Sequence, residues 1–362
     1  MKRNFAFLVL PLVLLSLLAG LLSGLVRIGW YELSLPEING EHGAIMVGSF
    51  LGTLICLERT VVLKNKWLYL IPILCGLSLV FFFSGNSKVA YLLQSFAAVG
   101  LVGIFYHFYH QYKEIYLLVM LVGAVAWLTG NLIMFFHDLY PLAVNWWIGF
   151  LLLTITGERI ELTKFLPRKE LKSKILITGN AIFLLGILMP FHTFGRYISV
   201  LGLAITAIGL FQFDIARKSV KKEGLTRFSA LGLLSGYVWL LITGFLLLLL
   251  TEHPFGYDAA LHAFFLGFVF SMIFAHGPII LPGVVGINFK PYHPVLYLWL
   301  AILQLTLAVR IIADFSMLPE LRRITGMVNG IGILAYFVTL MVLVRLQTVK
   351  MKKVKNSNKI AV

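Results

Sequence analysis

Stretches of about 20 apolar residues, each long enough to cross a ~30 Å hydrocarbon core as a helix, recur from residue 5 to residue 346, and the links between them are too short to build a water-soluble domain. Lipid offers backbone N–H and C=O groups no partners, so a chain of this kind must satisfy them within each segment, as helices do. Composition agrees: 60% of residues are hydrophobic and 12% charged, against roughly a quarter charged in a soluble domain. Turn and charge punctuation places twelve spans, at 5–26, 42–63, 67–84, 89–110, 115–136, 142–163, 175–191, 196–213, 228–251, 259–281, 294–313 and 324–346. The expected fold is therefore an all-α integral membrane protein of about 12 transmembrane helices. Residues 1–346 would form a single polytopic domain and residues 347–362 a basic cytoplasmic tail.

The net charge of +15 would suit nucleic acid, but the basic residues collect in the links, which is the signature of membrane topology and not of phosphate readout. No nucleic-acid partner is expected. With the N-terminus inside, only Arg27, Lys88, Arg196, Arg310, Arg322 and Arg323 of the 30 Lys and Arg residues fall on the outer side. The positive-inside rule thus places both termini in the cytoplasm. The densest clusters, at 164–174, 217–227 and 350–359, read as solvated topology signals. The first span follows MKRN but exceeds the h-region of a signal peptide and precedes no clear cleavage site, so it reads as an uncleaved helix. Cys56 and Cys75 lie inside spans at no metal-ligand spacing and read as core residues.

An internal repeat appears at an offset of 100 residues. GSFLGTLICLERTVVLK (48–64) aligns with IGFLLLTITGERIELTK (148–164), matching Phe50 with Phe150, Glu58 with Glu158 and Arg59 with Arg159. Span ten, HAFFLGFVFSMIFAHG (262–277), resembles HGAIMVGSFLG (42–52) of span two in beginning with His followed by small and aromatic residues. Spans two, six and ten run in the same direction, so four-helix units are expected to repeat three times about a pseudo-threefold axis along the membrane normal.

Nine histidines are the main chemical resource. His42, His137, His192, His253 and His262 fall near the outer side, and His107, His110, His276 and His293 near the inner side. His42 opens span two and His262 lies three residues into span ten, so at 1.5 Å per residue both lie within about 5 Å of the outer boundary. Two neutral imidazoles at one level on separate helices can clasp a haem iron from opposite faces. The alternative is that each is an ordinary histidine wetted at a helix end. On the inner side, HFYH puts His107 and His110 one turn apart, and His276 lies at comparable depth on span ten. Three imidazoles at one level would suit copper, iron or zinc. Equally, His107 and His110 could cap their helix against its carbonyl dipole. His276 has no helix end to explain it, and an ionisable residue at such depth is usually turned to a functional bundle interior.

The Glu58–Arg59 and Glu158–Arg159 pairs near the inner ends of spans two and six can relay protons or pair across helices. Arg310 and Asp314, one turn apart, can form a structural pair, or Arg310 can hold a haem propionate bidentately. There is no Gly-rich phosphate loop after a strand, no CxxC and no CxxCH, which removes nucleotide, iron–sulfur and c-type haem readings.

His42 with its HGAIMVGSFLG run, WWIGF and GERIELTKF of span six, and LHAFFLGFVFSMIFAHGPIIL with NFKPYHPVLYLWLAILQLTLAVRI of spans ten and eleven resemble the NnrS family of twelve-span membrane proteins. The resemblance covers most of the chain in topology, with motif identity confined to those regions. It implies haem and copper binding, a role in nitric oxide or nitrogen-oxide metabolism, residence in the bacterial cytoplasmic membrane and a redox partner. It also implies an arrangement similar to the catalytic subunit of haem-copper oxidases, in which histidines on helices two and ten hold a low-spin haem, matching His42 and His262. Spans six and seven lack the intramembrane histidines that hold copper in those oxidases: Glu158 occupies the region in span six, and His192 lies at the outer end of span seven. Dioxygen reduction is not expected. The competing classes are a solute permease, in which the histidines are incidental, and a sensor or assembly subunit without metal. A permease commonly has helices broken by Gly or Pro near the midplane, whereas here those residues mostly lie near span ends.

Overall fold

The computed structural model describes residues 3–63, 65–162, 164, 169–249 and 252–360. Among them are twelve helices long and apolar enough to cross a membrane: α1 (Leu8–Arg27), α2 (His42–Val62), α3 (Lys66–Phe83), α4 (Ser87–Tyr112), α5 (Ile115–His137), α6 (Tyr140–Leu162), α7 (Glu170–Leu188), α8 (Phe191–Phe213), α9 (Gly224–Leu248), α10 (Gly256–Val285), α11 (Leu296–Phe315) and α12 (Pro319–Met351). No strand occurs among the described residues. The chain is an all-α multipass membrane protein. The basic run at 164–174 lies partly outside the described residues, as do Lys64 and the last two residues of the basic tail. The described part of that tail continues α12 as one helix, Pro319–Ile360.

Two of the links are very short. Lys113 and Asp138 take the left-handed conformation, each at φ 54°, which ends a helix within one residue and lets the next begin at once. Helices α4, α5 and α6 therefore form tight antiparallel hairpins. Close approach without a hydrophobic driving force depends on small residues, and α7 meets α8 this way: a Cβ on Gly202 would lie 2.6 Å from the Gly179 carbonyl oxygen.

Successive helices pack side by side around the molecule, and α1 returns to α12 to close the circuit. Inside it stand α2, α6 and α10. Of the most apolar stretch of each, 67%, 72% and 61% is buried, whereas no other span exceeds 56%. The three helices touch one another along their length. Phe50 of α2 stacks on Phe270 of α10 at 6.0 Å, Arg59 of α2 pairs with Glu158 of α6, and Arg159 of α6 reaches His276 of α10 at 2.6 Å. The face on which α2, α6 and α10 begin is termed the upper face, and the other the lower.

Two of these inner helices are locally wider than an α-helix. Ile45–Gly52 in α2 and Ala263–Phe270 in α10 are π-helical, a rare geometry that concentrates at functional sites, and each segment follows shortly after a histidine. α10 also carries Pro278 and Pro282 in its interior. Pro278 has no N–H to give the Phe274 carbonyl one turn earlier. The Tyr336 hydroxyl of α12 donates to that carbonyl instead, at 2.8 Å, so the helix continues through residues that read as a stop in the sequence.

Candidate functional site

The upper end of α2 is fixed by its own first residues. A helix start leaves four N–H groups without intrahelical partners, and the Tyr140 hydroxyl of α6 accepts one of them, from Ala44, at 2.8 Å. Glu41, just before the helix, accepts hydrogen bonds from the hydroxyls of Ser87 and Tyr91 on α4. Between these anchors, the His42 ring lies flat on α1, where Gly24 leaves room for it. A Cβ on Gly24 would stand 2.6 Å from His42 Cε1. His42 Nδ1 meets the Gly20 carbonyl oxygen at 2.7 Å.

His262 on α10 is held in a parallel way. Its Nδ1 is 2.8 Å from the carbonyl oxygen of Asp258 and 3.3 Å from that residue's carboxylate. A carbonyl oxygen only accepts, so in both histidines Nδ1 carries the proton and Nε2 keeps its lone pair. This is the arrangement that orients a metal-ligating imidazole.

The two ring centroids lie 6.4 Å apart and the ring planes are inclined by 18°. Two iron–nitrogen bonds of about 2 Å, with a ring radius of about 1.1 Å at each end, put the centroids about 6.2 Å apart when both Nε2 atoms point at one iron along their ring planes. The structure brings His42 and His262, expected at one level, to neighbouring positions on α2 and α10. They line a cavity of about 420 Å³, within the ~300–1,000 Å³ of small-molecule sites. Gly330 of α12 also faces this cavity, and a Cβ there would meet nothing within 4 Å. The donor set is two neutral imidazoles with Nε2 uncommitted, and the centroid spacing matches that of a bis-imidazole haem iron if both rings turn Nε2 toward it.

A charged lattice braces the upper rim. Arg310 of α11 donates to Asp258 Oδ2 at 3.0 Å, and Arg322 of α12 donates to the same oxygen at 3.0 Å while pairing with Asp314 at 2.6 Å. The expected pairing of Arg310 with Asp314 is therefore corrected: each is bound through a residue on another helix. Asp258 and Arg322 were missed in the sequence. Asp258 could have been read one turn before His262, but Arg322 approaches from a separate helix and leaves no local signal. Arg27 and Arg310 both line the cavity.

The inner-side trio is not brought together. His276 is committed at both nitrogens: Nδ1 lies 2.8 Å from the Met272 carbonyl oxygen and Nε2 is 2.6 Å from Arg159. A guanidinium has only donors, so Nε2 must accept and has no lone pair left for a metal. His107 and His110 are exposed on α4. Among the described residues, no group of three His, Cys, Asp or Glu side chains is placed to hold a metal ion. The residues do not fit the copper site expected from equal depth alone.

A family model described as Domain of unknown function (DUF8744) matches residues 6–345. No curated protein and no solved structure matches the chain.

Proposed function

The chain belongs to the DUF8744 family, and from that premise we propose that it is a membrane haem protein in which His42 and His262 are the two axial ligands. The observation that carries this reading is the near-parallel imidazole pair at 6.4 Å, each ring with Nδ1 on a backbone carbonyl, beside a cavity of about 420 Å³. A haem held in this way supplies one-electron redox chemistry. The residues of the chain hold the two imidazoles in one tautomer and place Arg27 and Arg310 beside the cavity, where carboxylate substituents of a porphyrin would find guanidinium partners. If His42 and His262 both hold the haem, the reading favours electron transfer or sensing over binding of a gas at the iron. No role for copper is derived.

The resemblance to NnrS and to the helix-two and helix-ten histidines of haem-copper oxidases agrees with this reading, as does the central placing of α2, α6 and α10, taken as pseudo-threefold equivalents. It carries with it a role in nitrogen-oxide metabolism, residence in a bacterial cytoplasmic membrane, an outward upper face and cytoplasmic termini. The experiment is an optical spectrum of the purified protein, oxidised and dithionite-reduced, for wild type, His42→Ala and His262→Ala. A low-spin haem spectrum in wild type, lost or converted to high spin in each variant, is expected. A wild type without haem absorbance after expression with haem precursor, or variants that keep the low-spin spectrum, would overturn it.

A further inference from the structure

A second cavity, of about 180 Å³, lies below the first and is bounded by α1, α2, α6, α10 and α12. The stacked Phe50 and Phe270 rings lie at the junction, Phe50 facing the lower cavity and Phe270 the upper. Apart from Thr154, whose hydroxyl is spent on the Phe150 carbonyl, the walls of the lower cavity are hydrocarbon except at one end, where Glu58, Glu158 and His276 stand. These come from the three inner helices, so the polar groups converge on one point while the remaining surface is apolar, the usual form of a small-molecule site.

The cavity communicates with the hydrocarbon. Leu14 of α1 and Met341 of α12 both line it, yet they are 42% and 47% exposed on the outside of the molecule. α1 and α12 are joined near the upper face, where the Trp30 indole donates to the Arg323 carbonyl at 3.1 Å. The exposed pair lies in the seam below that joint, so a molecule dissolved in the bilayer can enter sideways.

The polar end specifies what would enter. Glu158 is paired with Arg59 and His276 accepts from Arg159, so neither has its principal acceptor free. Glu58 differs: its nearest cation, Arg59, is 3.7 Å away, too long for a hydrogen bond, and among the described residues no hydrogen-bond donor reaches its carboxylate. Glu58, Glu158 and, just beyond them, Glu161 face the Arg59 and Arg159 guanidinium groups and the Lys164 ammonium, and His276 is neutral as an acceptor, so the cluster is already near zero net charge. An anionic lipid would meet two carboxylates, and a cation would add uncompensated charge at membrane depth. What is lacking is a neutral hydrogen-bond donor.

We propose that the lower cavity binds an uncharged, membrane-dissolved amphiphile whose hydroxyl-bearing head donates to Glu58 while its apolar part lies along the cavity and through the seam between α1 and α12. The shared chemistry is a hydroxyl on a hydrocarbon tail. It can come from an aromatic ring, which Phe50 and Phe337 would flank, or from a glycerol head. This site is independent of the haem reading.

The test uses the full chain in phosphatidylcholine nanodiscs, titrated with decylhydroquinone and with 1-O-dodecylglycerol, each against its methyl ether, and with dodecanoic acid, with occupancy read by native mass spectrometry. At least one hydroxyl probe should bind about tenfold more tightly than its ether, as one hydrogen bond to a charged acceptor provides, and the tighter of the two identifies the source. Glu58→Gln should reduce the preference over the ether to about threefold or less, and Ile273→Trp, which fills the cavity, should abolish binding. His42→Ala should bind like wild type, which keeps this outcome separate from that of the haem. Absence of saturable binding, equal binding of ether or dodecanoic acid, or full discrimination retained in Glu58→Gln would overturn the proposal.

Discussion

Replacing Gly24 by alanine adds one methyl group, and local and tertiary physics disagree about its sign. Within a helix, alanine is favoured over glycine by roughly 0.5–1 kcal/mol, so by propensity alone Gly24→Ala stabilises α1. The new Cβ would stand 2.6 Å from His42 Cε1 and 2.8 Å from Nδ1, whereas carbon atoms rest at about 3.5–4.0 Å, so the ring must retreat by roughly 0.9 Å. A retreat of that size along the bond would stretch the 2.7 Å contact of Nδ1 with Gly20 to about 3.6 Å, beyond a hydrogen bond. The imidazole then loses the partner that fixes its tautomer, a loss that typically costs 10- to 100-fold in metal affinity. Haem titration of the purified protein, followed optically, should show weakened binding or partial high-spin character in Gly24→Ala. Gly103→Ala on α4 is the matched control, since a Cβ there meets nothing within 4 Å, and it should leave haem affinity unchanged while raising the thermal midpoint slightly. A Gly24→Ala protein with wild-type haem affinity and spectrum would refute the argument that the ring's contact with α1 sets the ligand geometry.

Tyr336→Phe leaves the Phe274 carbonyl without its donor and should cost about 1–3 kcal/mol in thermal or denaturant unfolding. In a Pro278→Ala background, where the backbone can supply that bond, the same substitution should cost much less, and additive losses would refute the coupling. Glu158→Gln should destabilise by up to about 3–5 kcal/mol by stranding Arg59 between helices, and Arg59→Met combined with Glu158→Leu should recover most of the loss; a double variant no better than the single would count against the pairing. His107→Ala with His110→Ala should alter stability by less than about 0.5 kcal/mol and leave both haem spectrum and metal content unchanged, as measured by absorbance and elemental mass spectrometry.

Helix positions were legible because the cost of polar backbone and side chains in hydrocarbon acts on every residue of a span. The expected spans 42–63 and 115–136 correspond to His42–Val62 and Ile115–His137. Misplaced boundaries have specific causes. The sequence starts span seven at 175, after the lysines, but α7 begins at Glu170 and takes Lys172 into the interior, where its Nζ donates to the Arg159 carbonyl at 3.2 Å. The sequence ends span ten at 281 beside its prolines, whereas α10 runs to Val285 with a tyrosine standing in for a missing N–H. Depth along a helix follows from counting, and this put His42 level with His262. Azimuth does not follow from counting, and this is why His276 faces Arg159 while His107 and His110 face outward. The π-helical segments left no readable signal, because they answer to packing between α2 and α10.

The His42–His262 pair also sets a clock on biosynthesis. The two histidines are 220 positions apart (262 minus 42), which at about 5–20 residues per second separates their appearance at the ribosome by roughly 10–45 s. The carbonyl that orients His42 belongs to Gly20 and is made before it, so the first imidazole can be set as soon as α1 and α2 pair. Any group that requires both rings can be captured only after α10 has entered the membrane and come to rest against α2. The nascent chain thus carries one finished half of the site through most of its own synthesis, and capture of that group reports that the chain has been inserted as far as α10.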